Sequence, residues 1–529
     1  MGLSGARAER LGWRWSLPWL VLVSVLVAGV FAAPFAYLVV RALGQGRALA
    51  SVWTSRAALE PLARSLVLAV AVVVAATALG VAAAWLVART DLPGRRAFAA
   101  LLPLPLVIPS FIGAFVVLAA FSRGGVLDRL FGWGGLRLEG FWPSFVVLTL
   151  FCYPYVYLPV AARLKALPAS LEESARLLGR RPLVAFFTVV LPQARASVAA
   201  GSLLVFLYVV SEFGVVQLFR YDTLTRVIYA TRLFERDRSL ALTLLLAAIA
   251  LGVVAAERVS ARRATAAGGR AGRGGLVVPL GRWRAPALSF LVAVVMLALG
   301  VPVGVLVFWV VRGWENVADP GALLPAMLNT AAASVGAAVA AVAAVLPVAY
   351  LTVRHRSRVG GIANAFVVAG FALPGLALAL ALVVVTLGAP APVGRLYQTF
   401  PLLVFAYVVH FGAQALRGAQ AALGAVPPRV EDAARVLGAN RVQRLLRVEL
   451  PLMAPGLLAA GGLVLLSSMK ELPATLLLAP AGFQTLAMEV WQATESALFA
   501  QASLAALVLI ALSGVLTWVL VVRRGIEPA

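Results

Sequence analysis

The 529-residue chain has few residues of the types that carry out covalent or metal chemistry. Its single cysteine, Cys152, excludes an intrachain disulfide and a cysteine-rich metal site. Its two histidines, His355 and His410, belong to no cluster with metal-site spacing. Neither of its two lysines, Lys165 and Lys470, follows a glycine, so the sequence contains no P-loop. We therefore predict no catalytic residue, no metal site and no cofactor on this chain.

Acidic residues are also scarce, with 21 Asp and Glu against 45 Lys and Arg, which gives a net charge of +24. Such an excess can indicate nucleic-acid binding. Here the arginines lie in short loops between apolar runs, as the topology signals of membrane proteins do. No basic stripe alternates with the stacking aromatic residues that single-strand binders need. We predict lipid, and no nucleic acid, as a partner.

Apolar residues are abundant: 62% are hydrophobic, 12% are charged, and the mean hydropathy is +0.97. A soluble domain is about half apolar and about a quarter charged. The apolar runs cover about residues 17–40, 65–88, 98–121, 143–162, 197–219, 239–256, 288–311, 329–353, 362–386, 399–416, 457–479 and 500–522. Runs of about 20 residues are typical of membrane-spanning helices, whereas barrel strands need about 10. The sequence predicts an all-α polytopic membrane protein with about 12 transmembrane helices.

The arginine distribution predicts the orientation of these spans. Most basic residues fall on the inner side when the N-terminus is placed in the cytoplasm, and both termini are then cytoplasmic. The segment 220–238 is an exception, because it carries five arginines in a predicted outer loop. Three acidic residues in this segment partly offset them.

A polar loop occurs twice, at a constant offset of 259 positions. The first copy has Glu173, Ser174 and Ala175, then Gly179 after three residues, then Leu191 and Pro192. The second copy has Asp432, Ala433 and Ala434, then Gly438 after three residues, then Leu450 and Pro451. A helix–turn–helix connector that merely joins two spans would explain one copy. Two copies that agree at every anchor favour a surface that a soluble partner contacts twice.

The repeat extends beyond this loop, because Arg89 matches Arg354 and Pro109 matches Pro374, both at an offset of 265. We predict a first six-helix half over residues 1–256 and a second over 288–529. Residues 257–287 are rich in Arg, Gly and Ala and predict a flexible cytoplasmic linker. Two halves of six spans in one orientation indicate a parallel duplication.

Glu212 and Glu471 are matching carboxylates within apolar runs. Ionisable groups at membrane depth usually face a cavity or a partner. One interpretation is that the pair lines the translocation pathway between the halves. The other is structural: Glu471 pairs with Lys470, or with the backbone at a helix break near Pro473.

The repeated loop resembles the Glu-Ala-Ala loop of the permeases of binding-protein-dependent ABC importers. That pattern runs Glu-Ala-Ala, three residues, Gly, nine residues, Ile-x-Leu-Pro. This chain departs from it conservatively, with Ser174, Asp432, and valines at 189 and 448. The resemblance implies that both loops are coupling helices, which contact two copies of a cytoplasmic ATPase that holds ATP and Mg. It also implies an extracytoplasmic substrate-binding protein and a location in the bacterial inner membrane.

The segment 470–478, Lys-Glu-Leu-Pro-Ala-Thr-Leu-Leu-Leu, is similar to the iron(III) branch of these permeases. The resemblance implies ferric iron as the cargo, while thiamine, phosphonate, molybdate and polyamine permeases remain alternatives. A secondary transporter of six plus six helices, driven by an ion gradient, is a further alternative. An intramembrane enzyme would need a nucleophile–base pair or metal ligands, and the sequence contains neither.

Overall fold

The computed structural model of the protein describes residues 17–265, 277–316, 321, 323–355 and 357–517. This part of the chain is helical, and within it the one β-type contact is an isolated bridge between Thr90 and Val278. The helices before the linker are α1 (Leu17–Thr54), α2 (Arg56–Arg89), α3 (Arg95–Leu101), α4 (Ser110–Phe121), α5 (Val126–Phe131), α6 (Phe141–Ala166), α7 (Ala169–Leu177), α8 (Pro182–Ala185), α9 (Leu191–Ser211), α10 (Gly214–Leu218), α11 (Leu224–Thr231) and α12 (Arg236–Thr265).

The helices after the linker repeat this order. They are α13 (Arg284–Val295), α14 (Val301–Arg312), α15 (Leu323–Val353), α16 (Arg358–Ala372), α17 (Gly375–Gly388), α18 (Phe400–Ala425), α19 (Pro428–Val436), α20 (Arg441–Arg444), α21 (Leu450–Met469), α22 (Pro473–Leu478), α23 (Leu486–Glu495) and α24 (Phe499–Thr517). Single π-helical turns, Phe186–Val190, Met296–Gly300 and Leu445–Glu449, precede α9, α14 and α21. Short 3-10 turns cover Leu104–Val107, Gly281–Trp283, Trp314–Asn316 and Val393–Leu396.

Eleven stretches of described helix are long and apolar enough to cross a membrane. The pair α16 and α17, bent by 105° at their junction, would make a twelfth. This number and the absence of named strands over the described ranges confirm the predicted all-α polytopic class.

The third span of each half is broken, where the sequence predicted continuous runs over 98–121 and 362–386. In the first half, α3 ends at Leu101, and α4 begins only at Ser110. The intervening stretch contains three prolines, which lack the N–H that a helix needs. In the second half, the break falls at Leu373 and Pro374, because a residue before proline disfavours the helical conformation.

The fifth span of each half is also broken, where the sequence predicted continuous runs over 197–219 and 457–479. Helix α9 ends at Ser211 and α21 ends at Met469. A short helix follows each break, α10 in the first half and α22 in the second. The break places Glu212 and Glu471 between two helices instead of inside one.

The described chain divides into two compact units, each of which draws on both predicted halves. One unit consists of Arg47–Asp319 and Val490–Ile510. Its helices α2, α6 and α9 approach closely because glycines face their neighbours. A Cβ atom on Gly80 would lie 2.9 Å from the Tyr153 carbonyl oxygen, and one on Gly201 would lie 2.7 Å from the Val156 Cα. Small residues at such positions are how membrane helices pack without a hydrophobic driving force.

The other unit consists of Met1–Gly46, Pro320–Glu489 and Ala511–Ala529. Helix α1 packs into it, because the buried Phe31 ring fills the hollow left by Gly412. The predicted halves are therefore halves of the sequence, and residues 17–46 of α1 group with residues of the second half. The boundaries 1–256 and 288–529 stay a prediction about the repeat.

The described residues at the two ends of the predicted linker lie in helices, and the linker as a flexible tether stays a prediction. Residues 257–265 continue helix α12, and residues 284–287 belong to α13. Between them, Val278 donates its N–H to the Arg89 carbonyl (2.8 Å), and Leu280 donates its N–H to Asp91 Oδ1 (2.8 Å). Residues 266–276 lie outside the described part of the chain.

Candidate functional site

The two copies of the polar loop have the same backbone. In each, a long helix ends at Ala166 or Ala425, and a nine-residue helix follows, α7 or α19. A glycine turn leads to a four-residue helix, α8 or α20, and a π-helical turn then joins α9 or α21. The repeat detected in the sequence is therefore a repeat of structure, down to the position of the π turn.

The glycine turn explains why both loops need Gly at the same position. Gly179 has φ = 80° and Gly438 has φ = 82°, in the left-handed region that other residues rarely adopt. The N–H of Arg180 donates to the Ala175 carbonyl (3.2 Å), and the N–H of Ala439 donates to the Ala434 carbonyl (3.0 Å). This six-residue bond is the Schellman ending of a helix.

The predicted contact residues divide into an inner and an outer set. Ala175 and Ala434 are buried, and their small side chains let the short helices lie close to the spans. Leu191 and Leu450 are half-buried. The exposed set consists of Glu173, Ser174, Gly179 and Pro192 in the first loop and Asp432, Ala433, Gly438 and Pro451 in the second.

Each loop also exposes two large apolar side chains directly before its glycine turn. Leu177 and Leu178 are 89% and 82% exposed, and Val436 and Leu437 are 88% and 86% exposed. We call these four residues the apolar tips. Two adjacent bulky apolar residues at matched positions on short polar helices indicate a surface that a partner covers. These four residues were not predicted from the sequence, although the offset of 259 residues applies to them as well.

A buried arginine joins the first loop to two spans. Arg89 ends α2, and its side chain is 1% exposed. Its Nη1 lies 3.9 Å from Glu172 Oε2 in the first turn of α7. Its Nη2 donates to the carbonyl oxygen of Leu167 (3.1 Å), the residue that follows α6.

The second loop has the same arrangement. Arg354 Nη2 lies 2.6 Å from Glu431 Oε1 in the first turn of α19, and it donates to the Val426 carbonyl oxygen (2.8 Å) after α18. Burial raises the pKa of the Glu431 carboxyl, and the charge of Arg354 opposes that rise. The sequence analysis treated the neighbouring acids Glu173 and Asp432 as the anchors and missed the inward-facing pair.

The second loop carries a further polar network. Glu449, which is 2% exposed, accepts a hydrogen bond from the Tyr350 hydroxyl and another from Arg444 Nε (2.6 Å). The matched positions of the first loop are Trp85, Ala185 and Val190, and there the Trp85 and Phe186 rings lie 5.5 Å apart. The two loops therefore share a backbone and differ in what holds their second helix.

The opposite end of each second span is also marked by a matched contact. Leu224 donates its N–H to Ser65 Oγ, and Leu486 donates its N–H to Thr330 Oγ1, both at 2.9 Å. Ser65 and Arg89 are separated by 24 residues of one helix, which is roughly 36 Å at 1.5 Å per residue. Within each unit, the loop and the segment after the broken span thus lie at opposite ends.

Glu212 is held at the break of the fifth span. Its Oε1 accepts the N–H of Val215 (3.1 Å) at the start of α10, and its Oε2 accepts the hydroxyl of Ser110 (2.9 Å). Tyr208 donates its hydroxyl to the Ser110 oxygen (2.8 Å). The carboxylate therefore stabilises the short helix after the break, as the structural interpretation expects.

Glu471 is held in the same way in the other unit. Its Oε1 accepts the N–H of Ala474 (3.1 Å), and its Oε2 lies 4.0 Å from His410 Nε2. The hydroxyl of Thr475 donates to the Glu471 carbonyl oxygen (2.5 Å). These contacts assign each carboxylate a structural role, and the translocation role of the two residues stays a prediction.

Comparison with known proteins agrees with this architecture. The family described as "Binding-protein-dependent transport system inner membrane component" matches residues 76–266 and 336–525, one match in each half. The chain is 31% identical over 506 residues to the Fe(3+)-transport system permease protein FbpB 2 of Haemophilus influenzae, which covers 94% of this chain and 96% of the relative.

Shorter similarities cover one part of the chain. The Molybdenum transport system permease protein ModB of Escherichia coli K12 is 30% identical over 26% of this chain and 60% of its own length. The Putrescine transport system permease protein PotI of the same organism is 29% identical over 36% of this chain and 70% of its own length. With two matched repeats and one similarity that spans nearly its full length, this chain belongs to the family of inner membrane components of binding-protein-dependent transport systems.

Proposed function

We propose that this chain is the fused transmembrane permease subunit of an ATP-driven ABC importer, and that its cargo is ferric iron. The family match supports the class, because it occurs once in each half of the chain. The full-length similarity to an Fe(3+)-transport permease supports the cargo, because the molybdenum and putrescine relatives match only 26% and 36% of this chain.

The apolar tips are the observation that carries the proposal. Four bulky apolar side chains, each more than 80% exposed, lie on two polar loops of identical backbone. A cytoplasmic ATPase subunit covers each pair, so one fused chain binds two copies. Burial of each such side chain is favourable by about 1.5–3 kcal/mol before the entropic costs of association are subtracted. ATP and Mg reside on the ATPase subunits.

Alternating access follows from this arrangement. An extracytoplasmic binding protein delivers the cargo to the outer face of the permease. ATP binding closes the two ATPase subunits and shifts the permease towards the outward-open state, and hydrolysis returns it. The loops lie on the cytoplasmic side, together with both termini. The permease chain positions the pathway and carries out no covalent chemistry.

Co-expression with the ATPase subunit of the same transport system tests the proposal. The wild-type permease is expected to co-purify with that subunit and to drive iron uptake in reconstituted vesicles that contain ATP and the loaded binding protein. The variant Leu178→Asp/Leu437→Asp places a charge in each docking surface and is expected to lose most of the bound ATPase.

A matched control separates docking from folding. Phe234 is 89% exposed and lies outside both loops, beyond α11. Phe234→Asp is expected to retain the ATPase at the wild-type level. If the wild type binds no ATPase, and its uptake stops with an uncoupler but continues without ATP, the chain is an ion-gradient-driven transporter and the proposal is wrong.

A further inference from the structure

Arg89 and Arg354 contact the same three elements in their respective units. Arg89 is the last residue of α2, and Arg354 directly follows α15. Each pairs with an acid in the first turn of the exposed short helix and donates to the carbonyl that follows the fourth span. We call Arg89, Glu172 and the Leu167 carbonyl the first arginine clamp, and Arg354, Glu431 and the Val426 carbonyl the second.

We propose that the two arginine clamps transmit ATPase motion from the short helices α7 and α19 to the second and fourth spans of each half. This inference rests on the proposed function, and it assigns positioning roles to four residues outside the predicted set of ATPase contacts. The geometry points to it because one arginine side chain contacts both the first turn of the short helix and the carbonyl that follows the fourth span.

Burial makes the first clamp stiff. Arg89 is 1% exposed and Glu172 is 3% exposed, so either charge alone would be left in a poorly solvated environment. The side chains of Arg354 and Glu431 are 13% and 12% exposed, so the second ion pair is partly solvated and less rigid. Separating a buried ion pair is strongly unfavourable, whereas an exposed pair separates at little cost. When the partner displaces α7, Glu172 therefore draws Arg89 and the end of α2 along with it. The hydrogen bond to Leu167 extends the same displacement to α6.

The surroundings of the acids support a mechanical role for the clamps over a role in partner binding. The adjacent acids Glu173 and Asp432 are exposed and available to a partner, whereas Glu172 and Glu431 point towards the spans. In α7, Glu172 points inwards and Glu173 points outwards. The same helical turn therefore contacts the span on one side and the partner on the other. Both copies have this division, although their second helices are held by different residues.

The variant Glu172→Gln/Glu431→Gln tests the inference in the full complex with its ATPase subunits and binding protein. Glutamine keeps the size of the side chain and removes the charge that holds the arginine. ATP hydrolysis and bound ATPase are expected to stay near the wild-type level, while iron taken up per ATP hydrolysed falls by about 5- to 150-fold, the usual range for one coupling interaction between sites.

Matched controls define the outcome. Glu60 and Glu235 are exposed acids that pair with Arg64 and Arg238, so Glu60→Gln/Glu235→Gln removes two surface ion pairs and is expected to keep wild-type coupling. If the clamp variant keeps wild-type uptake per ATP, or loses hydrolysis and uptake in the same proportion, the inference is overturned. If the wild type and the control show no ATP-driven uptake, the proposed function fails instead.

A conservative pair keeps the inference testable if the glutamine variant does not assemble. Arg89→Lys/Arg354→Lys keeps both charges, but an ammonium group cannot reproduce the fork of the first clamp, in which Nη1 faces the acid and Nη2 donates to the carbonyl. Uptake per ATP is expected to fall below the wild-type value with the ATPase still bound. Unchanged uptake per ATP in this variant would overturn the inference.

Discussion

The glycine turns of the two loops allow a quantitative test, through the variants Gly179→Ala and Gly438→Ala. Nothing lies within 4 Å of a Cβ atom added at either position, so the substitution causes no clash. The backbone is left-handed at both, with φ of 80° and 82°. A residue with a Cβ in that region costs about 1–2 kcal/mol, and asparagine costs less than alanine. The turn is therefore expected to open about 5 to 30 times more often in each alanine variant.

Hydrogen exchange of the loop amides measures that opening directly. The amides of Leu178 and Arg180, which donate to carbonyls of α7, are expected to exchange faster in Gly179→Ala by the same factor and less so in Gly179→Asn. Gly252→Ala in α12 is the control, because it also meets no atom within 4 Å and its backbone is helical. Equal exchange in the alanine variant and the wild type would refute the assignment of a left-handed turn.

Three further substitutions test other contacts of the structure. Glu449→Leu leaves Arg444 without its partner and is expected to lower the thermal midpoint. The loss in free energy of unfolding is at most about 3–5 kcal/mol, the cost of breaking a buried ion pair. A thermal midpoint equal to that of the wild type would contradict this expectation. Glu212→Gln keeps an oxygen that accepts the Val215 N–H, so the thermal midpoint is expected to equal that of the wild type. A loss of iron uptake in this variant would support the prediction that Glu212 lines the pathway, whereas full uptake would reject it. Arg284 lowers the pKa of Asp91, so the contact between Asp91 and residue 280 is present at neutral pH and is lost as the pH falls below the ordinary aspartate range. Asp91→Ala removes the oxygen that accepts the Leu280 N–H and is expected to speed exchange of the Leu280 amide at pH 7; an unchanged rate would show that Asp91 does not hold the segment.

The sequence predicted the parts of the fold that depend on local patterns. Apolar runs of about 20 residues located most of the spans, and the constant offset located both loops and their glycine turns. Gly179 and Gly438 were identifiable because a left-handed turn after a polar helix needs that residue type. The breaks of the third spans were not predicted, because the continuous apolar pattern favoured unbroken helices over the prolines at 103, 105, 109 and 374.

The clamp residues were harder to identify, because the two adjacent acids of each loop differ only in the direction in which their side chains point. Glu172 and Glu173 follow one another on a helix of 3.6 residues per turn, and only tertiary packing decides which side chain points inwards. Arg89 and Arg354 were matched in the sequence but interpreted as topology signals, since most arginines at the ends of spans serve that purpose. Two matched arginines together with two matched acids form a fourfold coincidence that could have indicated the ion pairs.

The breaks at Glu212 and Glu471 show that a signal for a helix break in one half of a repeat also predicts a break at the matched position of the other half. Pro473 indicated a break after Glu471, but the matched position Gly214 gave no such signal on its own. The carboxylates cap the following short helices through the N–H groups of Val215 and Ala474. That role depends on a change of backbone direction, which apolar periodicity does not encode.

Site-directed photo-crosslinking from the apolar tips tests the central claim most directly. A photoreactive amino acid at position 178 or 437, with position 234 as the control, is introduced into the permease in native membranes and irradiated with and without ATP. Crosslinks from position 178 to one copy of the ATPase subunit and from position 437 to the other copy, and none from position 234, are expected. Crosslinks from the apolar tips to lipid alone, or crosslinks to the ATPase from only one of the two loops, would contradict an importer that binds an ATPase subunit at each loop.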